Sequence, residues 1–123
     1  MDTGILHAPA ARSLDRLAEH AQAVSGVRTG AVKAGDWLVV RTKNSTYSMI
    51  AADDGTFRVA GGWFAANDAE TAAVRVLGCT WGGHALHTGL LAAPGMFLEF
   101  SNGVRTTRIR EVRLIRAADT KPH

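Results

Sequence analysis

Two dipeptides, Asp54-Gly55 and Asn102-Gly103, each stand between runs of alternating apolar and polar residues, and they constrain the fold more than any other feature of the chain. Asp-Gly and Asn-Gly readily supply the positive-φ positions of a two-residue hairpin turn, so each reads as a β-hairpin. A turn also implies a register. The first sets Ala52 opposite Phe57 and Ile50 opposite Val59, with Met49, Ala51 and Arg58 on the other face. The second sets Phe100 opposite Arg105 and Leu98 opposite Thr107, and turns Leu98, Phe100 and Ile109 to the core. In that register Arg108 shares the face of Glu99 and Thr106, and Arg105 falls at the edge of the apolar face.

Further strands are expected over residues 37–42, 72–80, 85–91 and 111–116. In the second of these segments Val74 and Val76 alternate with Arg75 and Leu77, and in the last Val112 and Leu114 share one side. Before Gly26 the period is different. Leu14, Leu17, Ala18, Ala21 and Val24 recur at steps of three and four, which predicts one amphipathic helix within residues 9–25. Pro9 suits its first turn and Gly26 its left-handed stop. One helix followed by seven or eight short strands predicts a mainly β single domain spanning 1–123: a small antiparallel barrel or roll over 35–116 and a loose tail over 117–123. The way Gly35-Asp36 leads into Trp37-Leu-Val-Val is similar to the start of the first long strand in SH3-like barrels.

With 123 residues and 46% apolar side chains, the chain can bury one core without disulfide or metal. No apolar run approaches the ~20 residues that cross a bilayer, so no membrane span is expected. Residues 1–9 lack the basic and apolar regions of a secretory signal, and Cys79 is the single cysteine; both fit a reducing, cytoplasmic setting.

Cys79, His84 and His87 are the one cluster with soft and imidazole donors suited to zinc, but a fourth ligand is missing, and a small buried Cys beside two polar histidines is the simpler reading. Gly78-Cys79-Thr80-Trp81-Gly82 has the outline of a nucleophile elbow, yet no helix follows it, and the glycines suit bulges or a tight turn. A Cys79 nucleophile would need a neighbouring base, which proximity in sequence does not supply. Asp53-Asp54 and Asp68 with Glu70 are the carboxylate pairs, both in expected turns. Asn44-Ser45-Thr46 matches a glycosylation acceptor and is equally a good loop. No nucleophile, base and orienting group converge, so the chain is not expected to be an enzyme, and no cofactor is implied.

The strongest compositional signal is charge. Arg105, Arg108, Arg110, Arg113 and Arg116 stand against Glu111 alone in residues 104–116, an excess of four where the whole chain carries +3. Such density suits phosphate or an acidic protein, or else a solvated sheet edge whose arginines pair with Glu99 and Glu111. The basic-aromatic string of RNA-recognition motifs is absent, though Trp37, Tyr47, Trp63, Phe64 and Trp81 could include an exposed stacking ring.

The segments Val40-Arg-Thr-Lys-Asn-Ser-Thr-Tyr47, Gly78-Cys-Thr-Trp-Gly-Gly83 and Gly95-Met-Phe-Leu-Glu-Phe100 together resemble a loose group of short, functionally uncharacterised bacterial proteins. The resemblance implies a compact β module over residues 35–116 and transfers no catalytic residue. The expectation from the residues is a non-catalytic binding module with a basic surface for nucleic acid or an acidic protein. Two others stand beside it: a structural or regulatory subunit docking through its helix or a sheet edge, possible as a homo-oligomer, and a zinc or thiol site at Cys79, His84 and His87.

Overall fold

Both glycine turns form in the computed structural model, and both are one residue longer than the dipeptides alone imply. The structure describes residues 24–70, 73–83 and 85–117. In the first hairpin, β3 (Thr46–Ala51) runs antiparallel to β4 (Phe57–Ala60) with Ala51 opposite Phe57 and Met49 opposite Val59. The N–H of Ala52 donates to Thr56 O at 2.9 Å, so Asp53 joins Asp54 and Gly55 in a three-residue loop. Gly55 at φ +84° takes the left-handed position that ends such a loop. Asp54 Oδ1 accepts from the N–H and the hydroxyl of Thr56, at 3.0 and 2.6 Å. The expected register is therefore off by one, and a slip of one exchanges the faces: Met49 and Ala51, not Ile50 and Ala52, join Phe57 and Val59 in the core.

The second hairpin repeats the correction. Phe100 N–H donates to Val104 O at 2.9 Å, and Thr106 N–H donates to Leu98 O at 2.9 Å. Ser101, Asn102 and Gly103 form the loop, with Gly103 at φ +89° and Asn102 Oδ1 accepting from Val104 N–H at 3.1 Å. Arg105 thus stands opposite Glu99 rather than on the apolar face, and Thr106, only 3% exposed, turns inward beside Leu98.

The remaining strands are β1 (Val27–Arg28), β2 (Trp37–Thr42), β5 (Ala73–Val74), β6 (Val76–Thr80), β7 (Leu90–Ala92), β8 (Phe97–Phe100) and β9 (Ile109–Ile115). All pairings are antiparallel. They make a five-stranded sheet in the order β5-β4-β3-β2-β9 and two small ladders, β6 with β8 and β1 with β7. The protein is mainly β as expected, but among the described residues the sheets stay open and no closed barrel forms. The expected strand over 72–80 is broken at Arg75, where the chain leaves the large sheet for the β6–β8 ladder. The one expected over 85–91 is reduced to a bridge at His87 and the start of β7.

The only α-helix among the described residues is α1 (Gly62–Ala66), one turn that the apolar periodicity did not mark. Its Phe64 is fully buried and packs edge-on to Phe100 of β8, with ring centroids 4.9 Å apart, and to Tyr47 of β3 at 6.3 Å. One aromatic side chain thus joins the large sheet to the ladder. The amphipathic helix expected within 9–25 lies, up to residue 23, outside the described residues. Val24 itself is not helical, and its N–H donates to Val112 O of β9 at 2.9 Å.

The large sheet buries its core face and, at one end, its second face, which is open at Arg41, Arg58 and Ala60. Leu38, Val40, Met49, Val59 and Val112 line the core side, with Leu114 following Val112 as its spacing implies. On the opposite face Trp37, Val39, Ile50 and Ile115 are each 7% exposed or less. Among the described residues no helix is long and apolar enough to cross a membrane.

Candidate polyanion interface

The five arginines do not share one surface. Arg116 is drawn to the far end of the large sheet, where Nη1 donates to Ala31 O at 2.7 Å and to Asp36 Oδ2 at 2.8 Å. Asp36 is almost wholly buried. Its burial works to raise the carboxyl pKa, but the N–H groups of Lys33 and Ala117 and the Arg116 guanidinium outweigh it, and Asp36 titrates below the usual aspartate value. Arg113 lies on the large sheet opposite Val39 and donates to Glu111 Oε2 at 2.9 Å, with Arg41 3.7 Å from the other oxygen. The Arg113 hydrogen bond holds the Glu111 carboxyl below its ordinary range. These two arginines serve the fold.

Arg105, Arg108 and Arg110 lie elsewhere. Arg105 Nε donates to Glu99 Oε2 at 2.9 Å, and its Nη2 reaches Gly83 O at 3.4 Å. Arg108 and Arg110 flank the buried Ile109 and are both exposed, as alternation about an inward residue requires. The Arg108 guanidinium stands over the Phe97 ring, 4.8 Å from its centroid, and donates to Gly95 O at 2.8 Å. Arg110 sits where the β2–β9 register shifts, and it forms no ion pair among the described residues.

Beside this group stands Trp81, 62% exposed. Its ring lies 3.4 Å from where a Cβ on Gly95 would sit, and Phe97 lies equally close to the corresponding point on Gly82. Thr80 holds the loop from beneath. Its buried hydroxyl donates to Gly83 O at 3.2 Å and accepts from Gly82 N–H at 3.1 Å. An aromatic ring, a second ring under a guanidinium, and Arg105 paired with Glu99 beside Arg108 thus make one basic, aromatic face over the outer side of β8 and the loop after β6, with Arg110 two residues beyond Arg108 on β9. Sequence reading grouped the arginines but missed Trp81 and Phe97 as their neighbours. Trp81-Gly82-Gly83, a large ring in glycine-rich loop sequence, was the available signal for Trp81. None existed for Phe97, whose place under Arg108 depends on the hairpin register.

The thiol and carboxylate candidates are placed differently. Cys79 and His87 are backbone partners, His87 N–H donating to Cys79 O at 2.7 Å, while His84 lies outside the described residues. The Cys79 thiol is buried and donates to Leu91 O at 3.1 Å, and burial pushes its pKa up to about 11, so it is the protonated thiol at neutral pH rather than a ready thiolate. Asp53 and Asp54 stay in the first hairpin loop. Glu70 Oε2 accepts from Gly61 N–H at 2.8 Å, and Asp68 holds φ +55° after α1. Asn44 lies in the turn between β2 and β3, which Thr42 closes onto Ser45. A shallow cleft of about 520 Å³ opens by Arg28, His87 and Thr88.

No protein-family model matches the chain. No curated protein matches it, and no solved structure matches it.

Proposed function

We propose that the protein is a non-catalytic binding module, cytoplasmic in setting, that holds a polyanion, nucleic acid in the first instance, on the face formed by Arg105, Arg108, Arg110, Trp81 and Phe97. The observation that carries this reading is the convergence at Gly95 of an exposed indole and a guanidinium held in place over Phe97. A guanidinium has five N–H donors, and among the described residues Gly95 O takes one of Arg108's. Arg113 and Arg116 stand apart from the proposed surface because they lie on the large sheet or at its far end, held by Glu111 and Asp36, whereas Arg105, paired with Glu99, lies beside Trp81 and Phe97. The arrangement behind that face is proposed as a roll of the SH3-like kind, since the last strand of the large sheet returns beside its first long one.

The test is fluorescence anisotropy with labelled RNA and DNA at about 50 and 200 mM salt, where several phosphate contacts weaken together. Binding that falls steeply with salt, with a flatter slope in Arg108→Ala/Arg110→Ala, is the expected result. An unchanged slope in the double variant sinks the reading. A second reading, a subunit docking on protein through a sheet edge, draws on Leu77, which is 45% exposed on β6. A dimer that survives high salt, by mass in solution, would favour it.

A further inference from the structure

Resting on that reading, we infer that the ligand is single-stranded, with Trp81 stacking on an unpaired base while Arg108 takes a neighbouring phosphate. In a duplex every base already stacks on its neighbours and offers only its edges in the grooves, so a flat exposed ring finds no free π-face there. On a single strand each base has one. The geometry around Trp81 suits that use. Its ring is 62% exposed, yet its loop is tied down by the buried Thr80 hydroxyl and by Arg105 reaching Gly83 O, so the indole is presented on ordered backbone. Ordering that precedes binding does not have to be supplied at binding, which favours affinity. Arg108 is likewise oriented, by Phe97 beneath it and Gly95 O beside it. Trp81 and Arg108 meet at the same residue, Gly95, so one ring and one charge stand close enough to engage adjacent parts of one strand.

The experiment compares Trp81→Ala, Trp81→Phe and the parent protein against labelled single-stranded RNA, single-stranded DNA and the matching duplex, by anisotropy at low salt. Melting temperature of each variant is the control for folding, and Trp81→Phe keeps an aromatic face should the alanine variant fold poorly. The parent is expected to favour single strands over duplex. Trp81→Ala is expected to lose about tenfold in single-strand affinity, the size of one base–aromatic stack. Its duplex binding and salt slope stay as in the parent, and Trp81→Phe restores most of the loss. A tenfold loss on RNA alone or on DNA alone supports the inference and identifies the backbone recognised. Salt-sensitive binding that is equal for duplex and single strand, or unchanged in Trp81→Ala, overturns stacking and leaves the polyanion reading standing. No binding to any of the three at about 50 mM salt overturns both.

Discussion

The five-stranded sheet and the β6–β8 ladder are built from similar alternating sequence but meet solvent differently. The large sheet buries apolar side chains on both faces, Leu38, Val40 and Met49 on one and Trp37, Val39 and Ile115 on the other. The ladder buries one, with Cys79, Leu98 and Phe100 inward, and sets Phe97, Glu99, Arg105 and the adjoining Trp81 and Arg108 outward. Where the large sheet's second face is open, at Arg41, Arg58 and Ala60, it presents no exposed aromatic ring among the described residues. The ladder has a face to spare, and there the rings and guanidinium groups gather.

The difference can be broken most forcefully at the joint between the two sheets. Phe64→Ala removes the ring that touches both Tyr47 and Phe100, and urea denaturation should show a loss of about 3–5 kcal/mol. Ile115→Ala tests whether the second face of the large sheet is a true interior. At 2% exposure it should lose about 2–4 kcal/mol, and a loss under about 0.5 kcal/mol would mean that face contributes no packing.

Acid titration probes the polar end of the same sheet. Asp36 has a lower pKa folded than unfolded, so the unfolded chain binds the proton more readily; the contribution is complete above the unfolded value and lost as pH falls below about 4. Thermal melts should decline through that window, and Asp36→Asn should both lower the neutral-pH melting temperature and flatten the acid decline. An unaltered acid profile in Asp36→Asn would assign the decline to other carboxylates. The smallest effect is expected on the ladder's open face, where Trp81→Ala should change stability by no more than about 0.5 kcal/mol. A large loss there would make the indole a structural element and remove the contrast between the two regions.

Much of the fold was legible. Strand β2 runs over the very residues, Trp37–Thr42, that a run of aromatic and β-branched side chains after Gly35-Asp36 marks, and both glycine turns fall where expected. Loop length was not legible, because Asp53 and Ser101 are polar enough to end a strand or begin a loop. What decided between them was the gain from placing Met49 and Ala51 beside the interior in the first hairpin and from turning Arg105 out to Glu99 in the second, which brings Thr106 inward. The candidate site was half legible for the same reason. Arg105, Arg108 and Arg110 stood out by density, but so did Arg113 and Arg116, which the fold uses elsewhere.

The sequence by itself determined where the chain turns, which segments extend, and that residues 104–116 carry an excess of positive charge. Those properties are local: a glycine's freedom at positive φ, a two-residue period and a side-chain charge travel with the residues themselves. Tertiary structure alone decided the registers, the burial of the large sheet's second face around Trp37 and Ile115, and the division of the arginines. Arg116 meets Asp36 across 80 positions of chain, and Trp81 meets Arg108 through Gly95, because burial and ion pairing reward neighbours in space whatever their separation in sequence.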